Sequence, residues 1–274
     1  MARQKLTRSL ATMVSFEGVG LSMPRRKRRQ GGGRRHRLRR FAGERSRTEE
    51  WVLRDVTVQI DPGESVALLG LKNSGRIEFL RLATGTLLPD EGKVSRREPV
   101  IPLIGNGRAL DRSFTIRQNI YVLGGLLGMT PGDVERKLPG IVESAEVTAN
   151  IDRYLGSASP LARQKLAWSI AMATEGHVIA ADDTLIVGDA EFKEQCWAHV
   201  REMKAQGVTF MVSTDVPRLY EDFCDRALVV HEGRILADTD MASGIGIVRE
   251  LRSGNQSAQP TDGDLEEEDQ DSEG

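Results

Sequence analysis

The chain has 274 residues, 39% of them hydrophobic, and its 38 basic and 40 acidic side chains leave a formal net charge of -2. This length and composition suit one large core or two modest ones, and the regular strand and helix signals favour one. No eighteen apolar residues run together, and residues 1–13 lack the apolar centre of a signal peptide. We therefore expect a cytoplasmic globular protein that neither spans a membrane nor is exported.

The two charge signs are concentrated in different segments. Residues 25–40 are rich in arginine and contain few apolar side chains, so we expect an exposed arm within an insertion at 25–47. The arm fits binding to anionic lipid head groups or a solvated insertion that pairs with the acidic tail, and it fits nucleic acid least because aromatic residues are absent. The acidic composition of 252–274 predicts disorder from Ser253 onward, whereas residues 1–13 form a short tail and 14–251 the domain.

The two cysteines are predicted to be reduced. Cys196 and Cys224 lie far apart and form neither a CxxC motif nor a metal cluster with the four histidines. We expect both of them in the core or on a helix.

Two strands precede the central motif of the chain. Residues 14–21 and 51–60 have strand patterns, and the turn at 61–64 leads into a buried strand at 65–69. A glycine-containing loop and an apolar-periodic segment follow this third strand. This order of strand, loop and helix is typical of a phosphate-binding loop, although an ordinary strand-turn-helix has the same outline.

The loop sequence GLKNSGRI departs from the phosphate-binding pattern GxxxxGK[ST] at two positions. Gly70 and Gly75 fall on the two glycines, but Arg76 replaces the lysine and Ile77 replaces the serine or threonine. Backbone N–H groups and the positive end of a helix still favour an anion beside Gly70, Ser74 and Gly75. Arg76 supplies a cation with a different shape from lysine, whereas Ile77 removes the hydroxyl that binds magnesium.

The remaining elements follow from local signals. A helical region begins at Ser113 or Thr115, another helix begins at Thr130-Pro131, and Ser159 caps a helix that reaches Ala173. Further strands are predicted at 93–95, 100–104, 178–181 and 208–213, a helix at 216–226, and a closing hairpin at 227–235.

Two carboxylates follow the strand at 178–181. Asp182 and Asp183 stand at its C-terminal end, where α/β folds place ligand chemistry. They are candidates for holding a metal-bound water and polarising an attacking one. A solvent-facing cap at the end of a strand is the alternative.

The order of these elements resembles the ATP-binding subunit of an ABC transporter, specifically the capsule and O-antigen polysaccharide-export type. Four segments within 14–251 carry the resemblance: VLRDVTVQIDPGE, FTIRQNIYVLGGLLGMT, LIVGDAEFKEQC and CDRALVVHEGRI. The resemblance implies an α/β fold in which a P-loop core sheet is joined by an antiparallel β subdomain and a helical subdomain. It also implies ATP and Mg²⁺ as cofactors.

The resemblance assigns roles to several residues in the first half of the site. Trp51 matches the aromatic residue that stacks on adenine, and Gly70 to Ile77 matches the Walker A loop, with Asn73 in place of its middle glycine. Ser159 begins the signature segment, which contacts ATP held by the opposite subunit. Pro160 and Leu161 replace the two glycines of that segment.

The other roles fall in the second half of the chain. Asp182 matches the Walker B carboxylate, which would bind Mg²⁺ weakly here, and Asp183 replaces the glutamate that orients water. Gly188-Asp189 matches the D-loop, and Thr214 stands where the switch histidine belongs. No glutamine suited to the Q-loop occurs in 102–110.

These departures predict a nucleotide-binding subunit with weak or lost hydrolysis. It would work beneath a membrane permease, at the inner face of the cell membrane, together with a second ATP-binding subunit in a homodimer or heterodimer. Two alternatives remain: an active ATPase that uses Arg76 and Asp183 in place of lysine and glutamate, and a regulatory or scaffold protein at the membrane surface.

Overall fold

The computed structural model describes residues 12–24, 49–105, 109–147 and 151–256, with side chains to residue 254. Nine strands and six helices lie within these ranges, besides short 3₁₀ turns. The strands are β1 (Val14–Pro24), β2 (Glu49–Ile60), β3 (Ser65–Gly70), β4 (Glu91–Arg96), β5 (Ile101–Leu103), β6 (Val178–Ala181), β7 (Thr209–Ser213), β8 (Arg226–His231) and β9 (Arg234–Thr239). The helices are α1 (Arg76–Thr84), α2 (Ile116–Leu126), α3 (Pro131–Ser144), α4 (Pro160–Met172), α5 (Ala190–Ala205) and α6 (Met241–Gln256).

The strands form two sheets. A six-stranded sheet has the order β5-β6-β7-β3-β8-β9, in which β9 alone runs antiparallel to its neighbour. A three-stranded antiparallel sheet has the order β2-β1-β4. In the larger sheet β3 and β6 are fully buried, which explains their continuous apolar sequences. The C-terminal ends of β3, β6 and β7 meet at one edge, where the candidate site lies.

Three apolar clusters fill the described part of the molecule. One lies on the face of the large sheet that α5 and α6 cover, and it includes Phe192 and Phe210. A second lies between the two sheets and α1, where Phe16 and Phe79 stack with ring centroids 4.1 Å apart. The third joins α2, α3 and α4 into a helical layer around residues such as Ile120. This division confirms the predicted core sheet, antiparallel sheet and helical subdomain.

The starts of the central helices agree with the sequence signals. Thr115 caps α2 and Thr130 caps α3, each in a reciprocal capping box, so Thr115 rather than Ser113 is the start signal. Ser159 caps α4, and Pro160 takes its first position. Because side chains close in sequence make these bonds, local sequence is sufficient to predict them.

The helix predicted at 216–226 is wrong. A single 3₁₀ turn at Pro217–Tyr220 is present, and Arg226 already begins β8. Distant groups bind the backbone that a helix would need: Lys204 Nζ donates to the Phe223 carbonyl at 2.5 Å, and the Asp225 N–H donates to the Ser65 carbonyl at 2.7 Å. Tertiary hydrogen bonds therefore override the local helical preference.

The C-terminal half contains two helices that local sequence signals did not reveal, α5 and α6. The second of them continues to Gln256, so the disorder predicted from Ser253 begins too early.

The basic arm at 25–40 and the acidic residues 257–274 lie outside the described residues. No helix of the described ranges is long and apolar enough to cross a membrane. Both cysteines are free and buried, as predicted, although only Cys196 lies on a helix.

Candidate nucleotide-binding site

The loop between β3 and α1 begins at a glycine that no other residue can replace without strain. Gly70 has a φ of 152°, and a Cβ built there would stand 2.2 Å from the Val230 carbonyl oxygen and 2.8 Å from Ser74 Oγ. Since real Cβ atoms do not approach backbone oxygen so closely, any larger side chain would move the loop away from β8.

Asn73 and Gly75 preserve the rest of the loop geometry. Asn73 has a φ of 63°, in the left-handed region that asparagine tolerates better than most residues. Gly75 caps α1 with a φ of 104°, and a Cβ there would lie 2.8 Å from both the Val52 carbonyl oxygen and Leu53 Cδ2. Asn73 therefore adopts a left-handed backbone conformation that glycine also adopts easily.

The loop fits a phosphate group through its backbone and one hydroxyl. Ser74 is 6% exposed, and its Oγ has no hydrogen-bond partner among the described residues. The same loop ends at the N-terminus of α1, whose first N–H groups have no partner within the helix. A phosphate oxygen would satisfy these donors, so the residues present fit the phosphate chain of a nucleotide.

The Arg76 side chain is bonded to the two residues that follow β7. Its side chain is buried, at 7% exposure for the residue, and Nη2 lies 2.6 Å from Asp215 Oδ1 in an ion pair. Nη1 donates to the Thr214 carbonyl. The cation expected to serve the phosphate is therefore bonded to residues that follow β7.

Asp183 and Thr214, the residues at the water-orienting and switch positions, are bonded to each other. Thr214 Oγ1 donates to Asp183 Oδ1 at 2.7 Å, and the Asp215 N–H lies 3.3 Å from both oxygens of the same carboxylate. Thr214 Oγ1 also accepts from the Val216 N–H at 3.0 Å. Both side chains act here as hydrogen-bond partners for the backbone and for each other.

The arrangement does not fit Mg²⁺ as the family motif would bind it. Asp182 Oδ2 accepts the Gly105 N–H at 2.8 Å and Oδ1 accepts the Thr184 N–H at 3.0 Å, so backbone donors occupy both oxygens. Ile77 has no side-chain oxygen to offer. Across the described ranges, no three His, Cys, Asp or Glu side chains converge as a metal site. Weak binding of Mg²⁺ by Asp182 remains a prediction.

The signature segment is exposed at the start of α4. Ser159 Oγ accepts the Ala162 N–H at 3.0 Å, and Pro160 and Leu161 follow it at the surface. The start of α4 is therefore accessible from outside the chain, and contact of this segment with ATP on an opposite subunit remains a prediction.

The D-loop position is tied to the signature helix. Asp189 caps α5 and lies 3.1 Å from Lys165 Nζ, which is also 2.7 Å from Glu146 Oε1. The Phe192 N–H, and then Lys165, hold the pKa of Asp189 below its usual value. The Asp189–Lys165 ion pair joins the start of α5 to α4.

Trp51 lies in β2 of the antiparallel sheet, one residue before Val52, whose carbonyl oxygen lies close to Gly75 of the loop. A Cβ at Gly20 would stand 2.8 Å from the Trp51 ring, so the ring packs over a glycine of β1. Stacking of Trp51 on adenine remains a prediction.

Sequence reasoning missed Asp215, which immediately follows Thr214. Its place as an acid at the end of a buried strand could have identified it as a candidate.

The arrangement of the two sheets, the helical layer and the loop is the fold of an ATP-binding cassette domain. One similar solved structure is the ATP-binding subunit of an ABC transporter, with a TM-score of 0.66 and 20% identity over 88% of this chain and 94% of that one. Another is the cassette MJ0796 in a dimeric post-hydrolysis state with ADP and Pi, with a TM-score of 0.65 and 17% identity over 84% of this chain and 99% of that one.

Sequence relatives make the assignment more specific. The chain is 30% identical to ABC transporter protein AbcA of Aeromonas salmonicida over 184 residues, 67% of this chain and 60% of AbcA. It is 29% identical to the O-antigen export ATP-binding protein RfbB of Klebsiella pneumoniae, over 67% of this chain and 74% of RfbB. It is also 29% identical to the teichoic acids export ATP-binding protein TagH of Listeria monocytogenes, over 68% of this chain and 55% of TagH.

The matched part spans about 60% of AbcA and 55% of TagH, less than two thirds of either protein. No protein-family model matches the chain. The fold is that of ATP-binding cassette domains, and the homologues of the chain include ATP-binding proteins of O-antigen and teichoic acid export.

Proposed function

We propose that this protein is the ATP-binding subunit of an exporter for a cell-surface polysaccharide or related glycoconjugate, and that it binds nucleotide with little or no hydrolysis. A separate membrane permease would be its partner at the inner face of the membrane, and a second ATP-binding subunit would complete the pair. The relatives named for O-antigen and teichoic acid export support the transport class. Anionic lipid binding by the arm at 25–40 would add to this membrane attachment.

One observation supports the loss of hydrolysis most strongly. One hydrogen-bond network already engages the side chains at the lysine, glutamate and histidine positions, namely Arg76, Asp183 and Thr214. Phosphoryl transfer needs a metal, a cation and a positioned nucleophile acting together. Here the cation is paired, the carboxylate is occupied, and Ile77 cannot bind the metal.

Nucleotide binding is a separate property and rests on different atoms. The backbone of the loop, with its glycines and the left-handed Asn73, keeps the geometry that presents N–H groups to phosphate. Backbone N–H groups can donate hydrogen bonds to an anion without a metal. Weak binding that depends little on magnesium is therefore compatible with negligible turnover.

We expect the purified chain to bind a fluorescent ATP analogue with nearly equal affinity with and without Mg²⁺, and to hydrolyse ATP negligibly. Fluorescence titration measures the first property and phosphate release the second. The paired variant Ile77→Thr with Arg76→Lys should gain magnesium dependence, because it returns the hydroxyl and the point cation. A large magnesium effect in the unmodified protein would contradict the proposal.

The turnover measurement has its own control. Asp182→Asn removes the Walker B carboxylate and should leave a negligible rate unchanged. Turnover at the level of an ordinary cassette ATPase, abolished by Asp182→Asn, would instead identify an active enzyme with unusual residues.

A further inference from the structure

Asp215 has no role in the site described so far, yet it holds the buried cation. The Asp215 side chain is 66% exposed and the Arg76 side chain 8% exposed, so a surface carboxylate covers a buried guanidinium. The two atoms that form the ion pair, Arg76 Nη2 and Asp215 Oδ1, are 2.6 Å apart although their residues lie 139 positions apart.

The backbone of Asp215 is fixed on both sides. Its N–H lies 3.3 Å from each oxygen of Asp183, and its carbonyl accepts from Arg252 Nη2 of α6 at 3.3 Å. The preceding Thr214 receives Arg76 Nη1 on its carbonyl and donates its hydroxyl to Asp183. The carboxylate is therefore held in position rather than meeting Arg76 by chance at a mobile surface.

The position of Arg76 makes the pairing relevant to nucleotide. Arg76 is the first residue of α1, so its backbone lies at the phosphate-binding end of the loop while its side chain points to Asp215. A guanidinium binds carboxylate and phosphate oxygens with the same fork geometry. Asp215 and a nucleotide phosphate thus present the same kind of acceptor to one cation.

We infer that Asp215 is an internal competitor of the nucleotide phosphate chain for Arg76, and that it sets the affinity of the loop for polyphosphate ligands. This inference rests on the proposed nucleotide binding. In the unmodified chain the loop binds through backbone N–H groups and the Ser74 hydroxyl, because Arg76 is occupied. Breaking the ion pair frees the Arg76 guanidinium beside the phosphate. The apparent affinity for nucleotide then rises in proportion to the fraction of molecules whose Arg76 side chain can bind the phosphate.

The test compares Asp215→Ala with Asp222→Ala. Asp222 is an exposed carboxylate on the same segment, so its removal changes the net charge equally without touching Arg76. The probe is a fluorescent ATP analogue titrated at fixed salt, with inorganic tripolyphosphate and adenosine as competitors. Asp215→Asn is the second variant, since it keeps the size of the side chain and one acceptor oxygen.

We expect Asp215→Ala to tighten binding of the analogue by about tenfold, Asp215→Asn by less, and Asp222→Ala by under about twofold. Tripolyphosphate should compete about tenfold better in Asp215→Ala, whereas competition by adenosine should not change. Adding Arg76→Ala to Asp215→Ala should remove the gain, because the freed guanidinium is its source. General damage to the fold would lower affinity and could not produce this pattern.

Two results would overturn the inference: equal affinity of Asp215→Ala and the unmodified chain, or a gain that persists without Arg76. Either would leave magnesium-insensitive binding by the unmodified chain intact, so the proposed function would stand. Absence of binding by the unmodified chain and by every variant would overturn both.

Discussion

Asn73 and Arg76 influence different properties of the loop between β3 and α1. Its φ of 63° lies in the left-handed region, where asparagine is among the least strained non-glycine residues. Arg76, three residues later, directs its charge to Asp215. Different residues therefore determine the backbone conformation of the loop and the charge that it presents.

The cysteines allow a prediction at the same scale. Burial raises the pKa of Cys196 to about 11 and that of Cys224 to about 12. At pH 8 a thiol with the lower of these values is about 0.1% thiolate, and the thiolate is the reactive form. We expect an aromatic disulfide reagent to label the native protein slowly and both thiols rapidly in denaturant. Fast labelling of the folded chain would contradict the buried positions.

Among the elements, α2 contains two adjacent glycines in different surroundings. A Cβ on Gly124 would lie 3.1 Å from Val134 Cγ2 of α3 and 3.3 Å from Met129 Sδ, whereas a Cβ on Gly125 would meet nothing within 4 Å. Gly124 therefore allows α2 and α3 to approach closely, and Gly125 faces open space. Substituting each glycine in turn therefore distinguishes the effect of packing from the effect of backbone entropy within one helix.

We expect Gly125→Ala to stabilise the protein by roughly 0.5–1 kcal/mol, because alanine restricts the unfolded chain and favours the helix. Gly124→Ala offers the same entropic gain but must displace Val134, so it should be neutral or destabilising. Chemical denaturation of both variants measures the free energy of unfolding. Equal stabilisation by the two substitutions would show that the helices can separate at no cost.

At the scale of the whole molecule, the family resemblance implies two cassettes that lie head to tail, and one similar solved structure is dimeric. Under the proposed function, a site formed on this chain's loop lacks a metal-binding hydroxyl and a free cation. A site on an intact partner's loop would lack only the signature glycines at Pro160 and Leu161. The two sites of such a pair would be unequal.

We therefore expect Asp183→Asn to change turnover of a reconstituted heterodimer by less than about twofold, since Asp183 is already occupied by Thr214 and the Asp215 N–H. Substituting the Walker B glutamate of the partner should abolish turnover, and Pro160→Gly with Leu161→Gly should raise it. Phosphate release by the purified complex measures all three. Equal losses from Asp183→Asn and from the partner substitution would place the working site on this chain.

Several features of the fold and site could be predicted from sequence because short-range interactions create them. The caps at Thr115, Thr130 and Ser159 bond to N–H groups three residues away. The loop glycines and the buried strands before them have equally local signatures. These signals were enough to predict most of the order of elements and the loop between β3 and α1, whereas the class of fold was implied by the family resemblance.

Interactions between distant segments determined the remaining features. The helix expected at 216–226 is replaced by one 3₁₀ turn because Ser65 and Lys204 bind its backbone, and neither partner is near in sequence. Helix α6 extends past Ser253 although its composition there predicted disorder, since its earlier turns pack on β3 and β8.

The direction of the Arg76 side chain was the decisive feature that sequence could not determine. Its identity and its place in the motif were evident from the chain alone, and they predicted a cation at the phosphate. The fold brings the ends of β3, β6 and β7 together and so places Asp215 2.6 Å from its guanidinium. At this distance the attraction between the two opposite charges is strong because the guanidinium is buried. Sequence therefore determined which residues occupy the site, and tertiary structure determined which of them bind one another.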